Sequence, residues 1–286
     1  MPHTFFSRCF NGLVCLVLVT LLSSCASPPE APVLRPLSAQ ALAITTTRLD
    51  ALLPMDVLLL GEQHDAREHQ QIHSQVIAVL AQRSLLAAVA LEMADANLTT
   101  AKLHPSSTEQ EAKNALKWND KSWPWDAYGP AVMTAVRAGV LVVGANLPRD
   151  AMRGSMGDST LDGQLPGPAL KAQQQQIRIG HCNLLPESQI TPMTRIQIAR
   201  DMKMAETLKE VALPGKVAVL LAGSGHADRL LGVPQHLPAT LKVKAARLRA
   251  GDAAAADKAD AFDAVWATPA LPDKDYCATF MAQMAK

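Results

Sequence analysis

The sequence has few aromatic residues and almost no net charge. Phe, Trp and Tyr make up 4% of its 286 residues, only two of them are tyrosines, and the formal net charge is +1. Near-neutral charge gives no basis for electrostatic binding to nucleic acid or another polyelectrolyte. A pocket for a large planar ligand would therefore be lined mainly by Leu, Met, Val and Ala.

Two common catalytic motifs are also missing. Gly223-Ser224-Gly225 lacks the lysine of a phosphate-binding loop, which argues against a nucleotide site. The sequence has no Gly-x-Ser-x-Gly elbow, which argues against an ordinary serine hydrolase. Hydrophobic residues make up 49% of the chain, enough for the core of one domain of ordinary α/β size.

The N-terminal segment has the pattern of a lipoprotein signal. Arg8 precedes an apolar stretch over residues 13–22 that is too short to span a bilayer. Leu22-Ser23-Ser24-Cys25 then forms a lipobox, so we expect residues 1–24 to be a signal peptide and Cys25 to carry lipid. The alternative is a plain secretory signal with a chance cysteine.

The residues after Cys25 predict where the protein is held. Residues 25–37 are rich in proline, which predicts an extended tether, and residues 38–286 are predicted to form a single α/β domain. Several acyl chains on one cysteine would hold the protein on a membrane. By the sorting rules of bacterial lipoproteins, Ala26 favours the periplasmic side of the outer membrane.

Two cysteines remain in the expected mature domain. Cys9 and Cys15 leave with the signal peptide and Cys25 takes the lipid, so Cys182 and Cys277 are left. In an oxidising compartment such a pair of thiols usually forms a disulfide, and we expect one here.

Short apolar runs followed by helical patterns predict the fold class. Four runs without polar alternation read as strands buried on both faces: residues 57–60, 87–91, 140–144 and 217–222. We therefore expect an α/β fold with a mostly parallel sheet, helices on both faces, and a polar helical excursion over residues 97–120. Residues 241–248 alternate apolar and basic side chains, as in an edge strand, and residues 263–267 predict a last short strand.

Three of these strands end in residues that can carry chemistry. The ends provide Gly61, Glu62, His64, Glu92, Gly223 and His226. Because parallel strands open on one edge of the sheet, these residues should converge. Two imidazoles with two carboxylates suit a divalent metal, or a general base held by an acid. The alternative is a polar network that only joins the turns.

Two other pairs lie at helical spacing. His69 and His73 are one turn apart, which can bind metal, but we expect a solvated helix face. Gln197 and Asp201, four residues apart, should face the same way, toward the site.

A set of sequence blocks resembles the ChaN-like haem-binding lipoprotein family, which shares a superfamily with Tiki, TraB and the erythromycin esterases. The blocks, in order, are LLLGEQHDAREH, LEM, WPWDAYGP, VVGANLPR, the stretch from GHC to IQIARDMKMA, LLAGSGHAD, DAVWATP and DYC. They run over nearly the whole expected mature chain, from about Asp56 to Tyr276. The set is far more specific than any one block.

This resemblance implies haem binding linked to iron uptake, with two haems face to face at a dimer interface. Gly61, Glu62, His64, Glu92, Gly223 and His226 match the superfamily's site motifs, which form the catalytic or metal centre in its hydrolytic members. The family also implies a tyrosine ligand to iron, supported by histidine. Only Tyr128 and Tyr276 are available, and we prefer Tyr128 because it lies in the Trp-x-Trp-x-x-Tyr block.

The leading hypothesis is thus a lipid-anchored haem-binding protein for haem or iron uptake or storage, rather than an enzyme. Its haem site would include Tyr128, His64, Gly223 and His226. The alternative is a metal-dependent hydrolase that uses Glu62, His64, Glu92 and His226. A third reading is an interaction lipoprotein whose site is inactive.

Overall fold

One six-stranded sheet forms the centre of the computed structural model, which describes residues 37–251 and 261–284. The strands are β1 (Val57–Glu62), β2 (Leu86–Asp95), β3 (Leu141–Asn146), β4 (Val217–Gly223), β5 (Val243–Ala250) and β6 (Ala264–Thr268). Their order is β3-β2-β4-β1-β5-β6, and all neighbouring strands run parallel. The predicted signal peptide, Cys25 and the tether up to residue 36 lie outside the described residues.

Helices connect the strands and cover the sheet. They are α1 (Ala39–Asp50), α2 (Arg67–Gln82), α3 (Glu109–Ala115), α4 (Trp125–Arg137), α5 (Arg149–Gly157), α6 (Gly167–Gly180), α7 (Glu187–Val211), α8 (Ser224–Ala227) and α9 (Tyr276–Met284). None of these helices combines the length and the apolar character that a membrane span requires. The predicted α/β fold is confirmed, although α3 is the only helix within the polar excursion over residues 97–120.

The central strands lack polar alternation because both faces of the sheet are covered. Every residue of β1 and of β4 is buried. Leu58 packs in the core that α2 covers through Val76, whereas Leu59 packs in the core that α7 covers through Met204. Full burial of a leucine side chain is worth about 2 kcal/mol, so both layers stabilise the sheet.

Strand β5 is not the predicted edge strand, because it lies between β1 and β6. Its basic side chains gain partners from the segment that leads into β6. The Lys244 ammonium donates to Asp263 at 3.1 Å, and the Arg247 guanidinium lies 5.6 Å from the ring centroid of Phe262. These contacts allow a strand with alternating charged residues to occupy an interior position.

Candidate functional site

The strand order places three predicted strand ends side by side. Strands β2, β4 and β1 are neighbours, so Glu92, Gly223 and Glu62 lie at the carboxyl edge of the sheet's centre. The backbone N–H of Gly223 donates to Glu92 Oε2 at 2.7 Å and joins β4 to β2 beyond the regular strand pairing. Ligand sites of open α/β sheets lie at this edge.

The Glu62 carboxylate is enclosed and fully hydrogen-bonded. Its Oε1 atom accepts from the Tyr128 hydroxyl at 2.6 Å and pairs with His64 Nδ1 at 2.7 Å. Its Oε2 atom accepts from the Gln70 amide at 2.7 Å. Burial alone would raise the pKa of Glu62, but the hydrogen bonds from His64 and Tyr128 and the charge of His64 hold it below its usual range.

The Glu92 carboxylate is held between two cationic groups. Its Oε1 atom accepts from Arg200 Nη2 at 2.6 Å and lies 3.4 Å from His226 Nε2. Arg200 also donates to Asn146, whose amide in turn donates to the Glu92 carbonyl. Burial would raise the pKa of Glu92, but His226 and Arg200 hold it well below its usual range, so this buried side chain stays ionised.

His226 links Glu92 to a second buried acid on α7. Its Nδ1 atom lies 2.5 Å from Asp201 Oδ1. The Gln197 amide nitrogen lies 3.1 Å from the same imidazole atom, His226 Nδ1. Gln197 and Asp201 do face the site, as their spacing predicts. Burial would lower the pKa of His226, yet Glu92 and Asp201 raise it to about 9, so the imidazole is protonated at neutral pH.

Glu62, His64, Glu92 and His226 form what we call the strand-end cluster. His64 is its most exposed member, with 42% of its side chain accessible. Its Nε2 atom lies 3.9 Å from Glu92 Oε2, and its ring meets the edge of Trp123 at a centroid distance of 4.9 Å. Burial would lower its pKa, but Glu62 and Glu92 raise it. A Cβ at Gly223 would lie 2.8 Å from His64 Nε2, so a larger residue at this position would displace the imidazole.

His69 and His73 do not lie on a solvated helix face, and that prediction is wrong. Both are completely buried, on the side of α2 that faces the sheet. His69 Nδ1 accepts from the Gln63 N–H at 2.9 Å. His73 Nδ1 lies 3.6 Å from Glu62 Oε2, too far for a hydrogen bond, and burial lowers the His73 pKa to about 4. The pair therefore packs behind Glu62 as neutral side chains.

The predicted cluster converges, but its contacts do not resemble a metal centre. Glu62, His64, Glu92 and His226 form one continuous chain of pairs. The carboxylates already accept hydrogen bonds from protein donors. Across residues 37–251 and 261–284, no group of three or more His, Cys, Asp or Glu side chains has an arrangement that would hold a metal ion. The geometry therefore gives the divalent-metal hypothesis no support.

Tyr128 lies inside the site. Its residue surface is 2% exposed, and the rings of Trp118 and Trp123 stand 6.0 and 5.8 Å from its own. Burial and the negative charge of Glu62 raise the pKa of the phenol far above its ordinary value. The preferred iron ligand is thus a neutral hydroxyl already committed to Glu62.

Tyr276 has the opposite environment. It is 47% exposed at the start of α9, and its hydroxyl donates to Asp65 Oδ2 at 2.7 Å. The Lys274 ammonium lies 4.9 Å from the ring centroid. The hydrogen bond to Asp65 raises the pKa of Tyr276. Asp65 follows His64 directly, so the exposed phenol stands beside the strand-end cluster.

A disulfide connects α9 to the rest of the domain. Cys277, next to Tyr276, is bonded to Cys182 in the turn between α6 and α7. The ring of His181 meets Phe280 of α9 edge-on at 5.8 Å. These are the two cysteines for which the sequence predicts a disulfide.

The site also contains three residues that the sequence patterns do not predict: Gln70, Asn146 and Arg200. Asn146 had a signal, because it ends β3 in the same way that Glu62 ends β1. Arg200 stands one residue before Asp201 on a helix already expected to face the site. Gln70 follows His69, and neither has a local pattern that predicts burial.

The fold and the site define the class of this protein. It is an α/β protein with an all-parallel sheet and a carboxylate–histidine network at the ends of the central strands. The family model described as "Haem-binding uptake, Tiki superfamily, ChaN" matches residues 48–237. The chain belongs to this haem-binding family, as the resemblance of its sequence blocks predicts.

A solved structure of a ChaN protein agrees with this assignment. A structure of cofacial haem binding to ChaN of Campylobacter jejuni is 28% identical, covering 72% of this chain and 86% of that one, at a TM-score of 0.62. The type III effector HopBA1 is 18% identical over 79% and 94% of the two chains, at 0.47. The erythromycin esterase EreC is 16% identical over 74% of each chain, at 0.43. No curated protein sequence matches significantly.

Proposed function

We propose that this protein is a lipid-anchored haem-binding protein that serves haem or iron uptake or storage. Its membership of a haem-binding family supports haem as the ligand. The observation that carries the proposal is the exposed phenol of Tyr276, beside the exposed imidazole of His64 and the half-exposed ring of Trp123. We name the surface formed by Trp123, His64, Asp65 and Tyr276 the rim.

The rim fits a planar group with a ferric centre. Haem supplies an iron atom that takes an axial oxygen, nitrogen or sulfur ligand, and tyrosine is one of the known axial ligands. Aromatic side chains hold apolar planar groups through their faces and edges. Trp123 provides such a ring, and its contact with His64 fixes the orientation of both.

We infer that Tyr276, rather than Tyr128, provides the oxygen ligand. A phenolate at Tyr128 would lie 2.6 Å from the ionised Glu62 carboxylate, without the proton that now joins them. Tyr276 has one exposed acceptor, Asp65, and the Lys274 ammonium beside its ring favours a negative oxygen. Because Asp65 raises the pKa of Tyr276, the phenol stays protonated until a cation displaces the proton.

The remaining parts of the proposal concern location and assembly. The lipobox supports lipid at Cys25, and Ala26 supports the periplasmic side of the outer membrane. The ChaN relative binds haem cofacially, which supports pairing of two haem-bearing rims in a homodimer. A dimer of this kind would cover the haem edge that one rim leaves exposed.

Haemin titration with absorbance detection tests the ligand. Wild type should bind saturably, and Tyr276→Phe should weaken binding by at least about tenfold, because it removes an iron ligand while keeping the ring. Tyr128→Phe is the matched control and should keep the wild-type spectrum and affinity. The reverse result would return the ligand to Tyr128. Absence of saturable binding by wild type would refute the function itself.

Membrane fractionation and mass measurement test the anchor. Cys25→Ser should leave an unprocessed precursor or a soluble form, because the modified residue is gone. Cys182→Ser/Cys277→Ser is the control and should still fractionate with membranes. An unchanged mature mass and partitioning of the Cys25 variant would exclude lipidation.

A further inference from the structure

Helix α9 makes few contacts with the domain that it lies on. From Tyr276 to Ala282 every residue is exposed except Phe280, which is half-buried. Besides the disulfide, its contacts include the edge-on meeting of Phe280 with His181 and the hydrogen bond from Tyr276 to Asp65. None of these contacts buries apolar surface in the core.

A helix of this kind is not stable by itself. Isolated helices shorter than about 12 residues are marginal in water, because nucleation costs more than a few hydrogen bonds return. Helix α9 has nine residues, and the side chains described in it belong to none of the buried core clusters. The covalent bond to Cys182 is therefore the strongest constraint on where the helix lies.

The bond also determines the position of the phenol. Cys277 follows Tyr276 directly, and its partner Cys182 is 95 residues away in the sequence. Without the bond, only the segment of residues 269–275 after β6 would hold Tyr276 to the sheet. The bond confines the phenol near Gln63 and Asp65 and so raises its effective concentration at the rim, as a tether does for a second binding group.

Building on the proposed function, we propose that the Cys182–Cys277 disulfide positions Tyr276 on the rim and that its reduction by a dithiol lowers the affinity for haem. Cys277 is exposed and Cys182 is half-buried, so a thiolate can reach the bond. The pair Cys182–Cys277 thus acts as a positioning element for the iron ligand, not as a ligand.

Reduction of the bond proceeds by thiol–disulfide exchange. One thiolate of the dithiol attacks a sulfur of the protein disulfide and forms a mixed disulfide, which releases one cysteine thiolate. The second thiol of the reductant, as its thiolate, attacks the mixed disulfide and releases the other cysteine. The reductant leaves as a disulfide, having given two electrons, and its two protons end on Cys182 and Cys277.

The test uses the full chain with Cys182→Ser/Cys277→Ser, which removes the bond without leaving a free thiol at either position. In the haem-free protein, amide hydrogen exchange of α9 should lose protection while β1 and β4 keep theirs. Haemin affinity should fall by at least about tenfold, because Tyr276 is no longer confined near the rim. Wild type treated with a dithiol should reproduce both changes, and the same treatment should leave the double variant unaffected.

A double-mutant cycle separates positioning from mere stabilisation. Tyr276→Phe with the disulfide intact should lose haem affinity while α9 stays protected. Adding Tyr276→Phe to the Cys182→Ser/Cys277→Ser variant should cost little more, since both changes remove one interaction. Unchanged protection of α9 without the disulfide would overturn the proposal, and so would unchanged haemin affinity with α9 released. If wild type binds no haemin, the proposed function fails, and hydrogen exchange still decides whether the disulfide holds α9.

Discussion

Tyr128 and Tyr276 carry the same phenol in two regions with opposite properties. The buried hydroxyl of Tyr128 donates its hydrogen bond to the buried, ionised carboxylate of Glu62. Around Tyr276 the partners are exposed, and the helix that carries it is joined to the domain by a disulfide. In the buried region a lost contact must destabilise the fold, whereas in the exposed region the same loss should affect ligand binding.

The largest expected effect of this contrast concerns arginine on α7. Arg200→Ala should cost about 3–5 kcal/mol of unfolding free energy, because it removes a cationic partner from buried Glu92. Arg195→Ala is the matched control on the same helix, and its partner Asp162 is 38% exposed. Loss of that pair should cost no more than about 1 kcal/mol. Urea unfolding measures both, and equal losses would contradict the contrast.

The next effect is a pH dependence that belongs to the buried region. The folded-state pKa of His226 is about 9, above its ordinary value of 6.5, so the folded state binds the proton more tightly. The resulting stability is fully present below pH 6.5 and is lost as pH rises through 9. The loss should amount to roughly 3 kcal/mol.

Urea unfolding between pH 6.5 and 10 measures this loss. Wild type should lose unfolding free energy across the interval, whereas His226→Gln, although less stable at every pH, should show a flatter profile. Parallel profiles would mean that another group titrates in this range.

The smallest effect separates the two tyrosines by stability. Tyr128→Phe should cost about 2 kcal/mol, because it removes a buried hydrogen bond to a charged acceptor. Tyr276→Phe should change the unfolding free energy by less than about 0.5 kcal/mol, since its hydroxyl bonds an exposed carboxylate. Thermal unfolding of the two variants, measured without haem, is the comparison. Equal shifts would show that α9 contributes to the stability of the core.

Much of the fold could be predicted because the central strands are buried on both faces. The apolar runs at 57–60, 87–91 and 217–222 lie within β1, β2 and β4 for that reason. The place of β5 could not be predicted from its own residues. Its alternation resembles that of an edge strand, and the groups that accommodate Lys244 come from Asp263, in the segment before the next strand.

Some site residues could be predicted from local sequence patterns, whereas the place of others depends on contacts between elements that are distant in sequence. Glu62 ends β1, Glu92 follows the apolar run of β2, and His226 comes soon after β4, so the parallel sheet alone predicts that they meet. The burial of His69 and His73 depends on which face of α2 packs on the sheet. The sequence does not show this, because two polar residues one helical turn apart predict a solvated helix face. The place of Tyr276 beside Asp65 is a contact between residues 211 apart in sequence, which no local pattern predicts.

The sheet order has a consequence for how this chain folds. Strand β1 is the first strand of the domain, yet its two neighbours, β4 and β5, are among the last, so that Val57 pairs with Ala218 and with Val243. Pairings between residues so distant in sequence slow folding, because a long loop must close before they form. Until residues 217–250 are available, the apolar β1 has no hydrogen-bonding partner on either side and can pair with another chain. A chain truncated before β4 would carry that hazard permanently.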